Sequence, residues 1–352
     1  MTSNGVFMYK VGRQDVRLYH LTNGVISADI LNMGGAIVRL LVPDKNGKKA
    51  DIILGFRSMQ EYSSNRCHFG CLIGRFANRI ANGYFELNGK RYDLVNNNMG
   101  YPGTIHGGID GWHLKVWDVI EEETDDRRLT MAYHSPDMEN GFPGNVDVKM
   151  VYSITDRNGL SLEYFAKSDK DTYVNMTNHS SFNMAGHGSG SILDHIVTIN
   201  ADYITPADEA SIPTGELRPV KGTAFDFTSP KPIGQDIRAD DEQLKLAGGY
   251  DHNFCIKGEG YRWCATVEDP KEGRVMTCYT TCPGVQFFTT NGVSFAFQDS
   301  VGKDGVQYKN NAGFCLETQY YPDSPNKPQF PSNLLKAGEE YYEQTVYEFT
   351  CK

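Results

Sequence analysis

Residues 84–95 read YFELNGKRYDLV, and this stretch predicts a β-hairpin. Two alternating runs flank Asn88-Gly89, a pair that tolerates the positive φ which a type I′ turn requires. A second hairpin is predicted around Asn158-Gly159, and Asn-Gly occurs eight times in the 352-residue chain. The sequence therefore indicates a protein built from antiparallel hairpins.

No segment sustains a helical apolar period, and the best helix candidate, residues 235–246, is short. The 36 glycines and the high tyrosine and phenylalanine content favour a large antiparallel β protein. No linker or repeat divides the sequence. We expect an all-β fold that forms one domain over residues 1–352.

The charge balance limits the partners that this chain can bind. Its formal net charge is −10 and its pI is about 5.4, which argues against nucleic acid or an anionic membrane as a partner. The most apolar short run, residues 36–42, contains Arg39 and is too short to span a bilayer. The first residues contain no apolar core of signal-peptide length. We expect a soluble, cytoplasmic protein.

Two C-x3-C pairs, Cys67/Cys71 and Cys278/Cys282, have a spacing that zinc can use. However, Cys278 lies in threonine- and valine-rich sequence typical of a strand, so we expect reduced thiols in the core. Neither G-x-x-x-x-G-K-[ST] nor G-x-G-x-x-G occurs, so no phosphate-binding loop is predicted. We expect neither a metal nor an organic cofactor.

Residues 313–319, GFCLETQ, alternate between two faces of an extended chain. Phe314 and Leu316 share one face, and Glu317 lies on the other, where partial desolvation can tune its basicity. Prolines then recur at every third position, the period of a polyproline II helix: Pro322, Pro325, Pro328 and Pro331. The alternative interpretation is a rim carboxylate before a stiff loop.

A second alternating stretch spans residues 171–184. Its polar residues share one face of an extended chain, and they are Asn175, Thr177, His179, Ser181 and Asn183. No Lys or Glu stands among them, although solvated strand faces usually carry such residues. The pattern favours a strand that lines a polar cleft, with a half-exposed strand face as the alternative.

Further polar groups lie in loops. Arg75 and Arg79 can donate hydrogen bonds to ligand hydroxyls or to backbone carbonyls. Glycines follow His106, so a ligand could approach the backbone there. Asp251 and Gln286 stand beside aromatic residues, a combination that suits the hydroxyls and the C–H faces of a sugar.

Taken together, these stretches resemble the aldose 1-epimerase (galactose mutarotase) family. The shared motifs occur in the family's order from about residue 24 to the C-terminus, and they are GRFANRI, TIHGG, TNHSSFN, IPTGELRPV with GTAFDF and KPIG, GYDHNF, PGVQFFTTN, and LETQYYPDSPNKPQFPS.

The resemblance implies a large, twisted antiparallel β-sandwich that acts on a free aldose without a cofactor. It implies that Glu317 is the general base and that His179 is the general acid. It also implies sugar contacts from Asn78, Arg79, His106, Asp251 and Gln286. We further expect a monomer or a weak homodimer.

Two positions depart from the family pattern. Ser181 stands where tyrosine is usual, and Gly111-Trp112-His113 replaces Gly-Phe-Asp. Both positions bear on the aromatic lining of the pocket and on the preferred sugar. We expect Trp112 to contact the sugar or the rim of the cleft.

These residue types fit anomer exchange by ring opening and closure. The Glu317 carboxylate can take the C1 hydroxyl proton, and a His179 imidazolium can protonate the ring oxygen. The ordinary pKa values of Glu and His are roughly 4.3 and 6.5, so at neutral pH Glu317 is already a carboxylate. A neighbour of His179, Asp251 or Glu317, must raise the pKa of His179 to keep the imidazolium. We expect a bell-shaped pH profile whose acidic limb is set by Glu317 and whose basic limb is set by His179.

Three other functions are compatible with the same residues. A non-catalytic carbohydrate-binding module would need the amides and aromatics but no acid/base pair. A glycoside hydrolase would use two carboxylates, for which Asp251 and Glu317 are the candidates. A hexose-phosphate epimerase would need more basic residues than Arg75 and Arg79 to bind its phosphate.

Overall fold

The computed structural model describes residues 5–98, 100–292 and 301–352, and its regular structure there is almost entirely strand. The strands in chain order are β1 (Val6–Val11), β2 (Gln14–Thr22), β3 (Ser27–Leu31), β4 (Ile37–Pro43), β5 (Lys49–Asp51), β6 (Leu72–Ile73), β7 (Arg79–Ala81), β8 (Tyr84–Leu87), β9 (Lys90–Asp93), β10 (Gly103–Ile105), β11 (Asp118–Val119), β12 (Arg128–Ser135), β13 (Val146–Ile154), β14 (Gly159–Ser168), β15 (Thr172–Tyr173), β16 (Thr177–Asn178), β17 (Ile196–Ile199), β18 (Ala201–Thr205), β19 (Arg218–Pro219), β20 (Lys231–Pro232), β21 (Asp251–Ile256), β22 (Arg262–Glu268), β23 (Arg274–Thr280), β24 (Gly284–Phe288), β25 (Cys315–Gln319), β26 (Leu334–Leu335) and β27 (Glu340–Cys351).

Antiparallel pairing joins these strands into three large sheets. The N-terminal sheet has the order β1-β2-β3-β4-β5, and a nine-stranded sheet has the order β11-β12-β13-β14-β27-β23-β22-β17-β20. The third sheet has the order β19-β18-β21-β24-β25, and we call it the site sheet. Four two-stranded pairs complete the set: β7 with β10, β6 with β16, β8 with β9, and β15 with β26. The predicted all-β, antiparallel fold is confirmed.

Both predicted hairpins are present. At the first, Leu87 pairs with Lys90, and Asn88 and Gly89 take φ values of 52° and 73°, as a type I′ turn requires. The hairpin at Asn158 has a longer turn, because β13 and β14 pair only up to Ile154 and Leu160, and Gly159 is already part of β14.

The site sheet separates an apolar face from a polar one. Phe254, Phe287 and Leu316 pack into a core shared with the other two large sheets. Because strand residues alternate, the intervening positions, which include Gln286 and Glu317, point to the opposite face. The predicted alternation around Glu317 is therefore confirmed, and every residue of β25 is buried.

The helix prediction is only partly right. Within the described ranges the one α-helix, α1, covers Glu242–Ala247, and the side chain of its N-cap Asp241 accepts a hydrogen bond from the Gln243 N–H. Of the predicted residues that precede α1, Gln235 ends a 3-10 turn at Ile233–Gln235, and residues 236–241 are not helical. No helix in the described ranges has the length and apolarity needed to cross a membrane.

The predicted polyproline II segment is wrong. Asp323 has a φ of 56°, and a 3-10 turn follows at Ser324–Asn326. The buried Asp323 carboxylate accepts a hydrogen bond from the Ala81 N–H at 3.0 Å and pairs with Lys327 at 2.7 Å. These contacts determine the path of the chain and outweigh the proline spacing.

The predicted cleft strand at residues 171–184 is also wrong in form. Only β15 and β16, of two residues each, are strand, and from Val174 onward both alternating sets of residues are buried. Asn175 bonds the backbone of Ala77 and Tyr320, and Asn183 bonds the carbonyl of Ala312. The asparagines satisfy buried backbone groups that no sheet ladder reaches, and so they do not line a cleft.

The cysteine prediction is confirmed for six of the eight thiols, which are free and buried. Cys278 lies in β23, and Cys282 follows that strand. Cys67 is half-buried, and Cys351 is exposed.

Candidate active site

Glu317 and His179 meet above the polar face of the site sheet. The Oε1 of Glu317 lies 3.7 Å from the Nε2 of His179, and the two side chains are 3% and 9% exposed. The backbone of His179 is fixed by its N–H, which donates to the Cys71 carbonyl, and by its own carbonyl, which accepts from Gly70. The structure therefore brings together the two residues that the sequence suggested as base and acid.

His106 enters the same space from a loop that pairs with Asn78. The His106 N–H donates to the Asn78 carbonyl at 3.0 Å, and the Asn78 N–H donates to the Nδ1 of His106 at 3.2 Å. Since Nδ1 of His106 accepts this hydrogen bond, the neutral ring carries its proton on Nε2. His106 is therefore preorganised as a hydrogen-bond donor.

His106, His179 and Glu317 are also the one group of three potential metal ligands found among the described residues, with ligand atoms within 4.8 Å of one another. A histidine that ligates a metal normally donates its other ring N–H to an acceptor. Here the Nδ1 of His106 faces a donor, the Asn78 N–H. The donor set thus suits a hydroxylated ligand better than a metal ion.

Gln286 connects Asp251 to the polar face. Its Nε2 donates to the Oδ1 of Asp251 at 2.7 Å, and in the sheet it pairs with Glu317. Phe288, two residues further along β24, presents its ring edge-to-face to His179 at 6.1 Å. Asp251 and Gln286 therefore lie where the sequence suggested, with an aromatic ring beside the pair.

The two arginines have different roles. Arg79 donates through Nε to the Oδ1 of Asn98, and its positive charge lowers the pKa of Glu317, against the larger effect of burial. Arg75 is 2% exposed, and its guanidinium hydrogen-bonds other groups of the protein. It donates to the hydroxyl of Ser135 and to the carbonyls of Ser135, Pro136, Phe142, Pro143 and Gly144. Arg75 therefore stabilises loops and does not reach a ligand.

Two histidines that the sequence reasoning missed complete a cluster of four imidazoles. The ring of His68 lies 4.9 Å from that of His106, 4.6 Å from that of His113 and 5.6 Å from that of His179. His68 belongs to no motif, so the sequence held no signal for it. His113 lies in a stretch that departs from the family pattern. That departure marked the position but did not indicate that His113 joins a cluster of imidazoles.

The expected sugar contact from Trp112 is wrong. Trp112 is 1% exposed, and its Nε1 donates to Glu139 at 3.2 Å. Its ring packs so closely on Gly74 that a Cβ there would lie 2.0 Å from it. Trp112 is a core residue behind the loop that carries Arg75.

Ser181, the other departure from the family pattern, is also buried. Its hydroxyl lies 3.4 Å from the thiol of Cys315, and this thiol lies 3.7 Å from the Nδ1 of His179. Ser181 therefore packs behind the imidazole and leaves the ligand side of His179 to other groups.

Burial shifts the pKa values of His179 and Glu317 in opposite directions. Desolvation lowers the pKa of His179 to about 4, although the charge of Asp251 opposes this shift. Desolvation raises the pKa of Glu317 well above its usual 4.5, with Asp251 adding to the shift and Arg79 opposing it. The expectation that a neighbour raises the pKa of His179 is therefore wrong, because burial outweighs the charge of Asp251.

The remaining imidazoles of the cluster are neutral for the same reason. Burial holds the pKa values of His68 and His106 well below 6.5 and lowers that of His113 to about 4. The site thus presents neutral imidazole rings beside the buried carboxyl of Glu317.

Comparison with known proteins gives consistent matches over nearly the whole chain. Residues 17–348 match the family described as aldose 1-epimerase. A galactose mutarotase of Bos taurus is 42% identical over 343 residues, which cover 97% of this chain and 96% of that protein. A galactose mutarotase of Homo sapiens is also 42% identical, over 96% of this chain and 95% of that protein.

Solved structures give the same result for the fold. An aldose epimerase homologue from C. elegans superposes with a TM-score of 0.86 at 28% identity, covering 96% of this chain and 99% of that one.

Proposed function

Because the chain belongs to the aldose 1-epimerase family, we infer that it is an isomerase that interconverts the α and β anomers of a free hexose. The names of the mammalian relatives make galactose the first substrate to test and glucose the second. The observation that carries the assignment of roles is the contact of 3.7 Å between Glu317 and His179 in a buried polar site.

We propose that Glu317 removes the C1 hydroxyl proton while His179 protonates the ring oxygen. The bond between C1 and the ring oxygen breaks, and C1 becomes the carbonyl carbon of the open-chain aldehyde. Rotation about C1–C2 exposes the other carbonyl face. Closure then returns both protons, from Glu317 to the carbonyl oxygen and from the ring-forming hydroxyl to His179.

This scheme keeps one proton on the pair throughout. Before ring opening the pair is carboxylate and imidazolium, and afterwards it is carboxylic acid and neutral imidazole. Burial of both side chains favours the second, neutral form. The site is therefore best suited to the open-chain intermediate, in which the pair carries no charge.

We propose that the other site residues orient the sugar. The Nε2–H of His106 would donate to an oxygen near C1, because its ligand atom lies within 4.8 Å of those of His179 and Glu317. Asp251, aligned by Gln286, would accept from a ring hydroxyl, and Arg79 would donate to one. Asn78 acts mainly by positioning His106.

The competing functions explain the site less well. A binding module has no use for a carboxylate and an imidazole so close together and so deeply buried. A phosphate-binding epimerase would need basic groups, yet Arg75 is engaged by backbone carbonyls and only Arg79 remains near Glu317. A hydrolase would use Asp251 as its second carboxylate, which a test on a glycoside would reveal.

Polarimetry of freshly dissolved α-D-galactose tests this function. The protein should accelerate the approach to the equilibrium rotation well beyond the spontaneous rate, and it should act on α-D-glucose in the same assay. Methyl α-D-galactoside is the matched control, because its blocked anomeric oxygen prevents ring opening. Release of methanol from that glycoside would instead indicate a hydrolase.

We also propose that the protein works in the cytoplasm as a monomer or weak homodimer. The support is its set of free thiols, six of them buried, and its net charge of −10. Light scattering across a range of concentrations would test the oligomeric state.

A further inference from the structure

The polar face of the site sheet continues well beyond Glu317. Thr205, Asn253, Gln286 and Glu317 are in register across β18, β21, β24 and β25. Residues paired in this way point to the same side of a sheet. All four are buried, with exposures of 2%, 1%, 4% and 2%. The proposed base is therefore the end of a buried polar row.

Much of this row lacks hydrogen-bond partners. Seven side-chain atoms on this face make no hydrogen bond to any group in the described part of the chain, and they are Thr205 Oγ1, Asn253 Oδ1 and Nδ2, Gln286 Oε1, Glu317 Oε2, and Gln319 Oε1 and Nε2. Buried polar groups in native proteins are almost always satisfied by protein or ordered water. So many adjacent atoms indicate an occupant that forms hydrogen bonds.

Gly284 provides the room for this arrangement. It lies in the neighbouring row, paired with Gln319, and a Cβ at this position would lie 2.5 Å from the Oδ1 of Asn253. Its φ lies outside the left-handed region, so the glycine is needed for space and not for its backbone conformation. The missing side chain allows the Asn253 amide to lie across β24.

The chemistry of the unpartnered atoms identifies the occupant. Three are amide oxygens that only accept, two are amide nitrogens that only donate, one is a hydroxyl that does both, and one is the Oε2 of Glu317. Water, which donates twice and accepts twice, can satisfy such a mixture of donors and acceptors.

We propose that Asn253 and Gln319 are positioning residues that hold buried water against the Oε2 of Glu317 and so stabilise the carboxylate form that acts as base. The proposal rests on the proposed role of Glu317. It adds to that role a reason why a deeply buried carboxyl can ionise during turnover.

The other groups around Glu317 do not fully stabilise its carboxylate form, so bound water would add to that stabilisation. The titratable and charged groups that face it are His179, His106, Asp251, Arg79 and the thiols of Cys71 and Cys315. Asp251 disfavours the carboxylate, and Arg79 favours it. Water donated to Oε2 stabilises the carboxylate without adding a charge that would repel the proton on His179.

The test is the pH dependence of kcat/KM in Asn253→Leu and in Gln319→Leu, measured by polarimetry. Each loses the water contact, so the Glu317 carboxylate should become harder to form by about one pH unit. The neutral-pH rate should fall about tenfold, and the basic limb should move up by the same unit. The rates should converge with wild type above that limb, because Glu317 is then ionised in every form, and KM should not change.

Two controls separate water binding from simple loss of an amide. Asn253→Ser replaces the amide with a hydroxyl that can still bind water and leaves space for it, so the variant should retain the wild-type pH profile. Gln243, on α1, has a buried amide that hydrogen-bonds the backbone of Ala207, so Gln243→Leu should lower stability without moving the pH profile. If Asn253→Leu fails to fold, Gln319→Leu alone decides the outcome.

Four results would overturn the proposal. One is an unchanged pH profile in both leucine variants while Glu317→Gln is inactive. This result would rule out the water-binding role of Asn253 and Gln319 but not the role of Glu317 as base. Another is an Asn253→Ser variant as impaired as Asn253→Leu. A third is a rate that depends on sodium compared with choline in the buffer, because a bound cation would then occupy the site. High activity in Glu317→Gln would instead contradict the proposed function itself.

Discussion

The Nε2 of His179 lies 3.7 Å from the Oε1 of Glu317, and the two side chains are 9% and 3% exposed. At this distance, in a buried site, we expect the two groups to titrate as a pair that shares one proton. In the proposed mechanism the reacting pair carries its proton on His179 before the sugar ring opens and on Glu317 afterwards. One geometry thus serves both directions of the reaction.

The two residues should act as a unit. His179→Asn removes the acid, and the polarimetric rate should fall by about 10²-fold or more. The double variant with Glu317→Gln should be little slower than either single variant, because groups that work together are non-additive. Multiplication of the two losses in the double variant would show that the residues act in independent steps.

The pH profile should be a bell whose limbs are assigned in the reverse of the order expected from the sequence. The pKa of His179 is lowered to about 4, and that of Glu317 is raised well above 4.5. The pair holds one proton between these two values, so protonation of His179 sets the acidic limb and ionisation of Glu317 sets the basic limb. The test is whether His179→Asn removes the acidic limb, since loss of the basic limb would restore the original assignment.

The arginine pair allows a matched comparison of structure and function. Arg75→Met leaves several buried carbonyls without a donor and should lower the free energy of unfolding by roughly 3 kcal/mol or more. Arg79→Met should change stability little but lower kcat/KM roughly tenfold, through loss of a charged donor to the sugar. Urea denaturation and polarimetry on both variants separate the two effects, and equal loss of stability in both would contradict the assignment.

The fold was predictable to the extent that it depends on local signals. The Asn88-Gly89 hairpin and the alternation around Glu317 are visible in the sequence because turn geometry and strand period are local properties. The polyproline prediction failed because Asp323 binds residues that are distant in sequence. The strand predicted at residues 171–184 failed because a buried irregular chain uses asparagines to satisfy its backbone.

The site was predictable only through its motifs. His68 could not be found, because its place among three other imidazoles depends on how separate loops meet. The directions of the pKa shifts of His179 and Glu317 could not be predicted from the sequence either, because burial decides them and the sequence does not show how deeply a residue is buried. Trp112 was misplaced because an aromatic residue beside a motif can pack inward as readily as outward.

The buried histidines should make the fold sensitive to acid. Six of the nine histidines have pKa values lowered by burial: His68, His106, His113, His179, His195 and His252. The unfolded chain binds their protons near pH 6.5, whereas the folded chain binds them only at lower pH, so stability falls as pH drops below about 6.5.

Urea denaturation at pH 7.5 and pH 5.5 measures this loss. His113→Asn should reduce this loss by about 1.4 kcal/mol over these two pH units, the share of one histidine. His134→Asn is the matched control, because that side chain is 62% exposed and lies outside the buried cluster. An equal slope in wild type and His113→Asn would contradict the burial argument.

Chelation should not affect turnover. The proposed chemistry needs only proton transfer, and the Nδ1 of His106 faces the Asn78 N–H, as a metal-bound ring would not. Dialysis against a chelator should leave the polarimetric rate unchanged. A loss of rate that zinc restores would overturn both the cofactor prediction and the mechanism.

The most direct test of the account is the polarimetric rate of Glu317→Gln with α-D-galactose. The variant keeps the shape of the side chain but lacks the proton acceptor, so the rate should fall by about 10²-fold or more while the fold is retained. Glu343→Gln is the matched control, because Glu343 is also buried but accepts hydrogen bonds from Thr281 and Tyr320, away from His179. A near-normal rate in Glu317→Gln would contradict the assignment of the base and would make Asp251 the next candidate.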